Sequence, residues 1–351
     1  FLISPGTYAD RRIGGGSGFL IPHGSATVRG KKLLHECDQR THTYNSHLTT
    51  DICLKSNAAW QDECSTVAGL KREAALGLIN RTHLWWFDMW GDFYQGEAVM
   101  DTMKRIREIW DEYAASPAES CCQIALIVDP ESTFYLNQEH PDIPEIHLGT
   151  RNKLSRCGAP FEVYSFRDIP EIRNFSNYKL IIFASLFQLT SEKKRILEQY
   201  VFKDDRTVLF LGPAGIIDQG KYDHANCRKL TGCPPDAEGI ATAQMKGFKS
   251  VFIRNCKEVT PAVLRKIAAS AGVLLYTDRE WPVYAEKKLF AIHTAEGGKE
   301  KIRIPYRHAE IRELFTGKKF TAADGCFEYT FQKPDTALFV LEKTSCGTEI
   351  S

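Results

Sequence analysis

KKLLHECDQRTHT (residues 31–43) and HLWWFDMWGDFY (residues 83–94) decide how this chain is read. In the first, an apolar lead is followed by Glu36, Asp38 and Arg40 at alternate positions. Successive strand residues point to opposite faces, so a strand here sets all three on one face. The second packs aromatic side chains around Asp88 and Asp92. Carboxylates beside a flat aromatic wall suit the cleavage of a sugar. One carboxylate handles charge at the anomeric carbon, and an indole stacks on the ring.

Working outward, residues 64–79 (CSTVAGLKREAALGLI) predict a helix with Val67, Leu70, Ala74 and Leu78 on its apolar face. A second helix is expected over 97–113, where Val99, Met100, Met103, Ile106, Ile109, Trp110 and Tyr113 recur at three- and four-residue intervals. Strand, loop, helix, strand and helix in that order form the repeat of an α/β barrel. Residues 1–30 read as loop. Their glycines at 14, 15, 16 and 18 match no phosphate-binding fingerprint and predict a flexible segment. Residues 45–63 are polar and irregular, and 114–120 (AASPAES) read as a linker.

Beyond the linker, apolar strands are expected at 124–128, 161–166, 180–184, 207–211 and 250–253. Helical stretches near 146–157, 190–202 and 260–271 separate them. Near-continuous apolar strands alternating with helices imply a parallel sheet covered on both faces, as in a flavodoxin-like doubly wound domain. From Trp281 the runs become short, alternating and broken by GG, TG and DG, the pattern of a small antiparallel β-domain. The expected division is 1–115, 119–279 and 280–351.

The 351 residues allow two or three domains with real cores. A net charge of +1 gives no global field for nucleic acid or an anionic membrane, and no apolar run is long enough to span a bilayer. The 11 cysteines are odd in number, irregularly spaced and without C-x-x-C, so free thiols in a reducing cytoplasm are expected rather than a disulfide framework. Cys53, Cys64 and His47 make at most half a metal site, and His35, His42 and His47 are irregularly spaced. No metal and no cofactor is expected. The middle region has no dinucleotide fingerprint and no nucleophile elbow. Residues 211–215 (LGPAG) follow a strand and lie where a ligand could touch the sheet edge.

The order of these parts resembles the family 42 β-galactosidases and their relatives. The resemblance rests on Ser4-Pro5 with Tyr8 and Arg11, on Glu36-x-Asp38-x-Arg40-Thr41, and on Leu84-Trp85-Trp86-Phe87-Asp88. It implies the C-terminal part of a (β/α)8 barrel, then a flavodoxin-like trimerisation domain, then a small β-sandwich. It implies a retaining glycoside hydrolase whose carbohydrate substrate is a β-linked sugar such as a galactoside, assembled as a homo-oligomer. If HLWWFD is the eighth strand, KLLHE is the seventh and Glu36 falls on the nucleophile position. The acid/base, a Glu following Asn on the fourth strand, would then lie outside this chain. A 351-residue piece of that kind is expected to be inactive alone.

On that reading Tyr8 and Arg40 donate to Glu36 and keep its pKa low, with Arg11 beside them. The bland alternative is a structural Glu36–Arg40 ion pair beneath a loop. Asp38 is the second candidate nucleophile or a brace for Arg40. Of the two tryptophans, Trp86 is the expected sugar platform, because it alternates with Leu84 and Asp88. Asp88 binds a sugar hydroxyl or caps the next loop. Trp90, Phe93 and Tyr94 are candidates for a further subsite. The competing function is a non-catalytic carbohydrate-binding or oligomerisation protein. A flavin carrier built on the middle domain is a third.

Overall fold

The structure, a computed structural model, describes residues 1–43, 60–88, 91–137, 139 and 143–344. Strands β1 (Leu2–Pro5), β2 (Leu33–Cys37) and β3 (His83–Trp86) form a parallel sheet with β2 in the centre. Helix α1 (His23–Val28) links β1 to β2, α2 (Glu63–Ile79) precedes β3, and α3 (Glu97–Tyr113) follows it. Helix α2 begins where the Asp62 side chain accepts from the Ser65 N–H, which satisfies one of the free donors of the first turn. Helix α3 begins after Gly96, whose φ of 103° suits only glycine.

Along β2, Leu33, His35 and Cys37 are buried while Leu34 and Glu36 are half-buried. The buried set faces α2, where Leu33 packs with Ala75, Leu76, Leu78 and Ile79. On the other face Ile3 and Trp85 are 50% and 41% exposed. Parallel sheets are ordinarily covered on both sides, so this open face is the unusual feature of the sheet.

Five further parallel strands build a second sheet: β4 (Ile124–Val128), β5 (Phe161–Ser165), β6 (Leu180–Phe183), β7 (Arg206–Leu211) and β9 (Phe248–Ile253). Strand β8 (Ile240–Met245) runs antiparallel at the edge beside β9. The order is β8-β9-β7-β6-β4-β5, which places the parallel strands second-first-third-fourth-fifth. That is a doubly wound order with a switch point between β4 and β6. Apolar clusters fill both faces, one around Phe183 and Phe210 and the other around Leu126, Ile182 and Leu209. Strand β8 is absent from the expected set because it alternates exposed and half-buried residues and carries no apolar run.

The third region is antiparallel. Strands β10 (Val283–Ala285), β11 (Leu289–Thr294), β13 (Ala309–Glu313), β14 (Lys319–Ala322) and β16 (Asp335–Thr344) form one sheet in the order β10-β11-β16-β13-β14. Strands β12 (Gly298–Arg303) and β15 (Cys326–Phe331) pair separately and close over it. Phe290, Phe327, Tyr329 and Phe339 interlock in the space between. The reverse face, with Leu289, Ala291, Leu338 and Val340, lies on α2. Helix α2 is therefore buried almost all round from Thr66 to Ile79 instead of along one stripe. Its glycines permit the close fit: a Cβ on Gly69 would fall 2.4 Å from the Trp60 ring.

The expectation of a flexible segment at residues 14–18 is corrected. Gly15, Gly16 and Ser17 are buried. The Gly14 N–H donates to His293 Nε2 at 2.8 Å, and the Tyr284 hydroxyl donates to Gly16 O at 2.7 Å. A Cβ on Gly16 would sit 2.3 Å from Ser155 Oγ. These glycines serve the close approach of three chain segments. Among the described residues no helix is long and apolar enough to cross a membrane, and the nine described cysteines form no disulfide with one another. His47, Cys53 and Trp90 lie outside the described residues.

Candidate active site

Glu36 is the penultimate residue of the central strand. The parallel register pairs it with Pro5 on one side and Trp85 on the other, so the three side chains share the open face. Phe87, two residues beyond Trp85, meets that indole edge-on with ring centroids 4.8 Å apart. The result is a half-buried carboxylate beside an aromatic wall. Among the described residues the Glu36 carboxylate takes no hydrogen bond and no ion pair. Partial burial and then the Asp38 charge push its pKa above the usual carboxylate value, against a small opposing effect of His35.

That finding corrects the expected donors. The Tyr8 hydroxyl donates to Asp38 Oδ2 at 3.2 Å, and Arg40 Nη1 pairs with Asp38 Oδ1. Arg11 Nη1 donates to the Asp38 carbonyl while its guanidinium lies 4.6 Å over the Tyr8 ring. The three-residue alternation fails because β2 ends at Cys37, after which the backbone turns and takes Asp38 and Arg40 into the interior. Glu36 and Arg40 thus form no ion pair, and Asp38 organises the loop. Arg11 is 1% exposed and keeps Nε and Nη2 buried without an acceptor among the described residues.

The platform assignment is also corrected. Trp86 pairs in register with Cys37 and points to the helix side, where it packs with Trp60, Leu70 and Val99 and meets Tyr94 at 5.8 Å. Trp85 is the tryptophan that shares the face of Glu36. Asp88 accepts from the Phe93 N–H at 3.4 Å, a loop-capping contact. Phe93 is fully buried under Arg40, and the Tyr94 hydroxyl donates to Cys37 O at 3.0 Å, so neither lines an open subsite. Trp86→Ala is expected to cost about 3 kcal/mol, the low end of the range for an aromatic lost from a core, because Trp86 is half-buried. Trp85→Ala should stay within about 1 kcal/mol of the parent. Chemical denaturation of the two variants checks which indole is structural, and the reverse ranking would contradict this assignment.

Beneath the sheet lies a network that the strand motifs did not reveal. Glu73 Oε2 meets His35 Nε2 at 2.8 Å and accepts from Ser17 Oγ at 2.9 Å. Its Oε1 pairs with Arg72 Nη2 at 2.6 Å. Arg72 also donates to the carbonyls of Arg11, Arg12 and Gly15 at 2.9, 2.7 and 3.0 Å. His35, Arg72 and Glu73 are all fully buried. Donor atoms of His35, Cys37 and Glu73 lie within 4.8 Å of one another. A guanidinium already saturates the carboxylate, and burial with the Glu73 charge holds the thiol protonated, so the set suits an ion-pair brace better than a metal ion. The one signal in the sequence was an adjacent Arg-Glu pair inside an apolar helix.

No protein-family model and no curated protein matches this chain. Solved structures do. The fold resembles that of GH42 β-galactosidases. A catalytic mutant of a GH42 β-galactosidase from G. stearothermophilus superposes with a TM-score of 0.56 at 12% identity, covering 79% of this chain and 51% of that one. A β-galactosidase from the Antarctic haloarchaeon Halorubrum lacusprofundi gives 0.55 at 12% identity, covering 90% and 61%. An α-L-fucosidase isoenzyme from Paenibacillus thiaminolyticus gives 0.53 at 11% identity, covering 92% and 62%. The chain thus spans about half to three fifths of the length of these structures. At such identities the likeness is one of fold: mixed α/β, with sheets and helices arranged as in glycosidases.

Proposed function

We propose that this chain is the C-terminal portion of a retaining glycoside hydrolase acting on a β-linked sugar of the galactoside type. In this reading β1, β2 and β3 are the last three strands of a (β/α)8 barrel, and the open face is the barrel interior. The second sheet is the core of a domain for self-association, and the third region is the closing β-domain. A reducing compartment suits the free thiols. The observation that carries the proposal is Glu36: an unpartnered, half-buried carboxylate at the carboxyl end of the central parallel strand, in register with Trp85. Active sites of such barrels lie at that end.

Glu36 would attack the anomeric carbon while the bond to the leaving oxygen breaks. A second carboxyl group about 5 Å away protonates that oxygen. Water then cleaves the glycosyl ester, deprotonated by the same second group. Trp85 and Phe87 would stack on the sugar ring. The nucleophile must be ionised, so donors from the remainder of the barrel would have to offset the burial that now raises its pKa. The purified 351-residue chain should therefore leave an aryl β-galactoside unhydrolysed, whereas the chain extended to a full barrel turns it over. Robust turnover by the short chain would contradict the proposal.

The raised pKa and missing donors favour one second reading, a non-catalytic carbohydrate-binding surface on the same open face. The full-barrel protein separates the two. A binding protein retains sugar without hydrolysis, and its Glu36→Gln variant leaves no activity to lose.

A further inference from the structure

Helices α1 and α2, strand β5 and strand β10 border a cavity of ≈ 160 Å³ that opens to solvent beside Thr27, Ala118 and Ser120. It lies on the helix side of the β1–β3 sheet, opposite Glu36. Phe19, which lines it, packs edge-on against His35 at 5.2 Å, and His35 points away from the open face. Its volume is about that of an engineered cavity of ~150 Å³ that accepts benzene. A six-membered ring therefore fits.

The walls are not those of a dry cavity. His23 lines it, its ring 5.3 Å from Phe19, and its Nε2 is buried without a hydrogen-bond partner among the described residues. Burial and the neighbouring Arg151 charge push that imidazole down to about 4, so it is neutral at pH 7. Arg151 is 6% exposed and makes no ion pair among the described residues. Its Nη atoms serve Phe19 O, Thr7 Oγ1, Ser17 O and Asn152 Oδ1, and its Nε donates to none of the described residues. Across the space stands Glu162, whose carboxylate accepts from Ser120 Oγ at 3.0 Å and from the Tyr178 hydroxyl. Glu286, also in the wall, is balanced by Arg81 at 3.6 Å.

One guanidinium and one carboxylate without ion-pair partners leave the cavity neutral. A charged ligand would add an uncompensated charge to a partly enclosed site. Donors on one wall and a carboxylate on the other suit groups that both give and accept hydrogen bonds, which hydroxyls do. The rings of Phe19 and Tyr284 supply apolar surface for the C–H face of a sugar. We propose that this cavity binds a free neutral monosaccharide. The site does not depend on the hydrolase reading, because Glu36 contributes nothing to it.

Calorimetric titration of the 351-residue chain with D-galactose and with D-glucose, each to roughly 50 mM, tests the proposal in the millimolar range. At least one of the sugars should bind one to one. His23→Phe keeps the ring and removes the buried nitrogen. It should weaken binding about tenfold, as the loss of one buried hydrogen bond does, and melt no lower than the parent. Ala118→Trp, at an exposed lining position, should abolish binding by filling the space. Binding of neither sugar overturns the proposal. So does binding that survives Ala118→Trp unchanged, because the sugar would then sit elsewhere. Should His23→Phe fail to fold, Ala118→Trp decides alone.

Discussion

Glu73→Ala is expected to destabilise the chain by about 3–5 kcal/mol, the cost of leaving a buried partner charge without its counter-ion. Arg72 has no exposure to water, and its remaining hydrogen bonds go to the carbonyls of residues 11, 12 and 15. The same change strips His35 and Ser17 of their acceptor, so the strand carrying Glu36 loses its tie to α2. Burial alone would raise the Glu73 pKa, but Arg72 and His35 outweigh it and bring it to about 2. A depressed folded-state pKa stabilises above the unfolded value and ceases to do so as pH falls through the folded one. From its ordinary value near 4.5, the parent should lose stability between about pH 5 and pH 2. Glu73→Gln should show a flatter acid slope. Urea denaturation followed by far-UV circular dichroism across that range checks both statements. A loss under about 1 kcal/mol for Glu73→Ala would show that the network does not brace the sheet.

Glu36→Gln carries the opposite signature. In a complete barrel it should lower turnover of an aryl β-galactoside by roughly four orders of magnitude, since no covalent intermediate can form without the nucleophile. In the 351-residue chain it should not destabilise. The Glu36 pKa is raised, so its ionised form disfavours the folded state at pH above the folded value and has no effect below the unfolded value. Glu36→Gln should therefore melt at or slightly above the parent temperature at pH 7, and the gap should close by about pH 3. A clear loss of stability at pH 7 would instead mark Glu36 as half of a structural ion pair. Loss of activity without loss of stability is what a residue placed for chemistry shows.

Local patterns carried much of the fold. Helix α3 occupies the span that its three- and four-residue spacing implied, because Gly96 and an amphipathic face act within the helix itself. The strands of the doubly wound sheet stand out because burial on both faces demands continuous apolar runs. Phase was harder to read. Alternation shows that Trp85 and Trp86 face opposite ways, yet only the register with Glu36 and Cys37 decides which way each points. Strand length was equally decisive, since ending β2 at Cys37 removed Asp38 and Arg40 from the face of Glu36. Tertiary cover hid the remainder. Helix α2 reads as one-sided until the C-terminal sheet is laid on it, and that cover is also what buries Arg72 and Glu73. The glycines at 14–18 look mobile without the three segments that press on them.

The central claim is that Glu36 is the nucleophile, and trapping the covalent intermediate tests it most directly. A chain extended to a full barrel, treated with a 2-fluoro-galactosyl inactivator and digested, should yield one sugar-bearing peptide with the label on Glu36, and the Glu36→Gln variant should yield none. Label on Asp38 or on any other carboxylate, or undiminished labelling of the variant, would contradict the account.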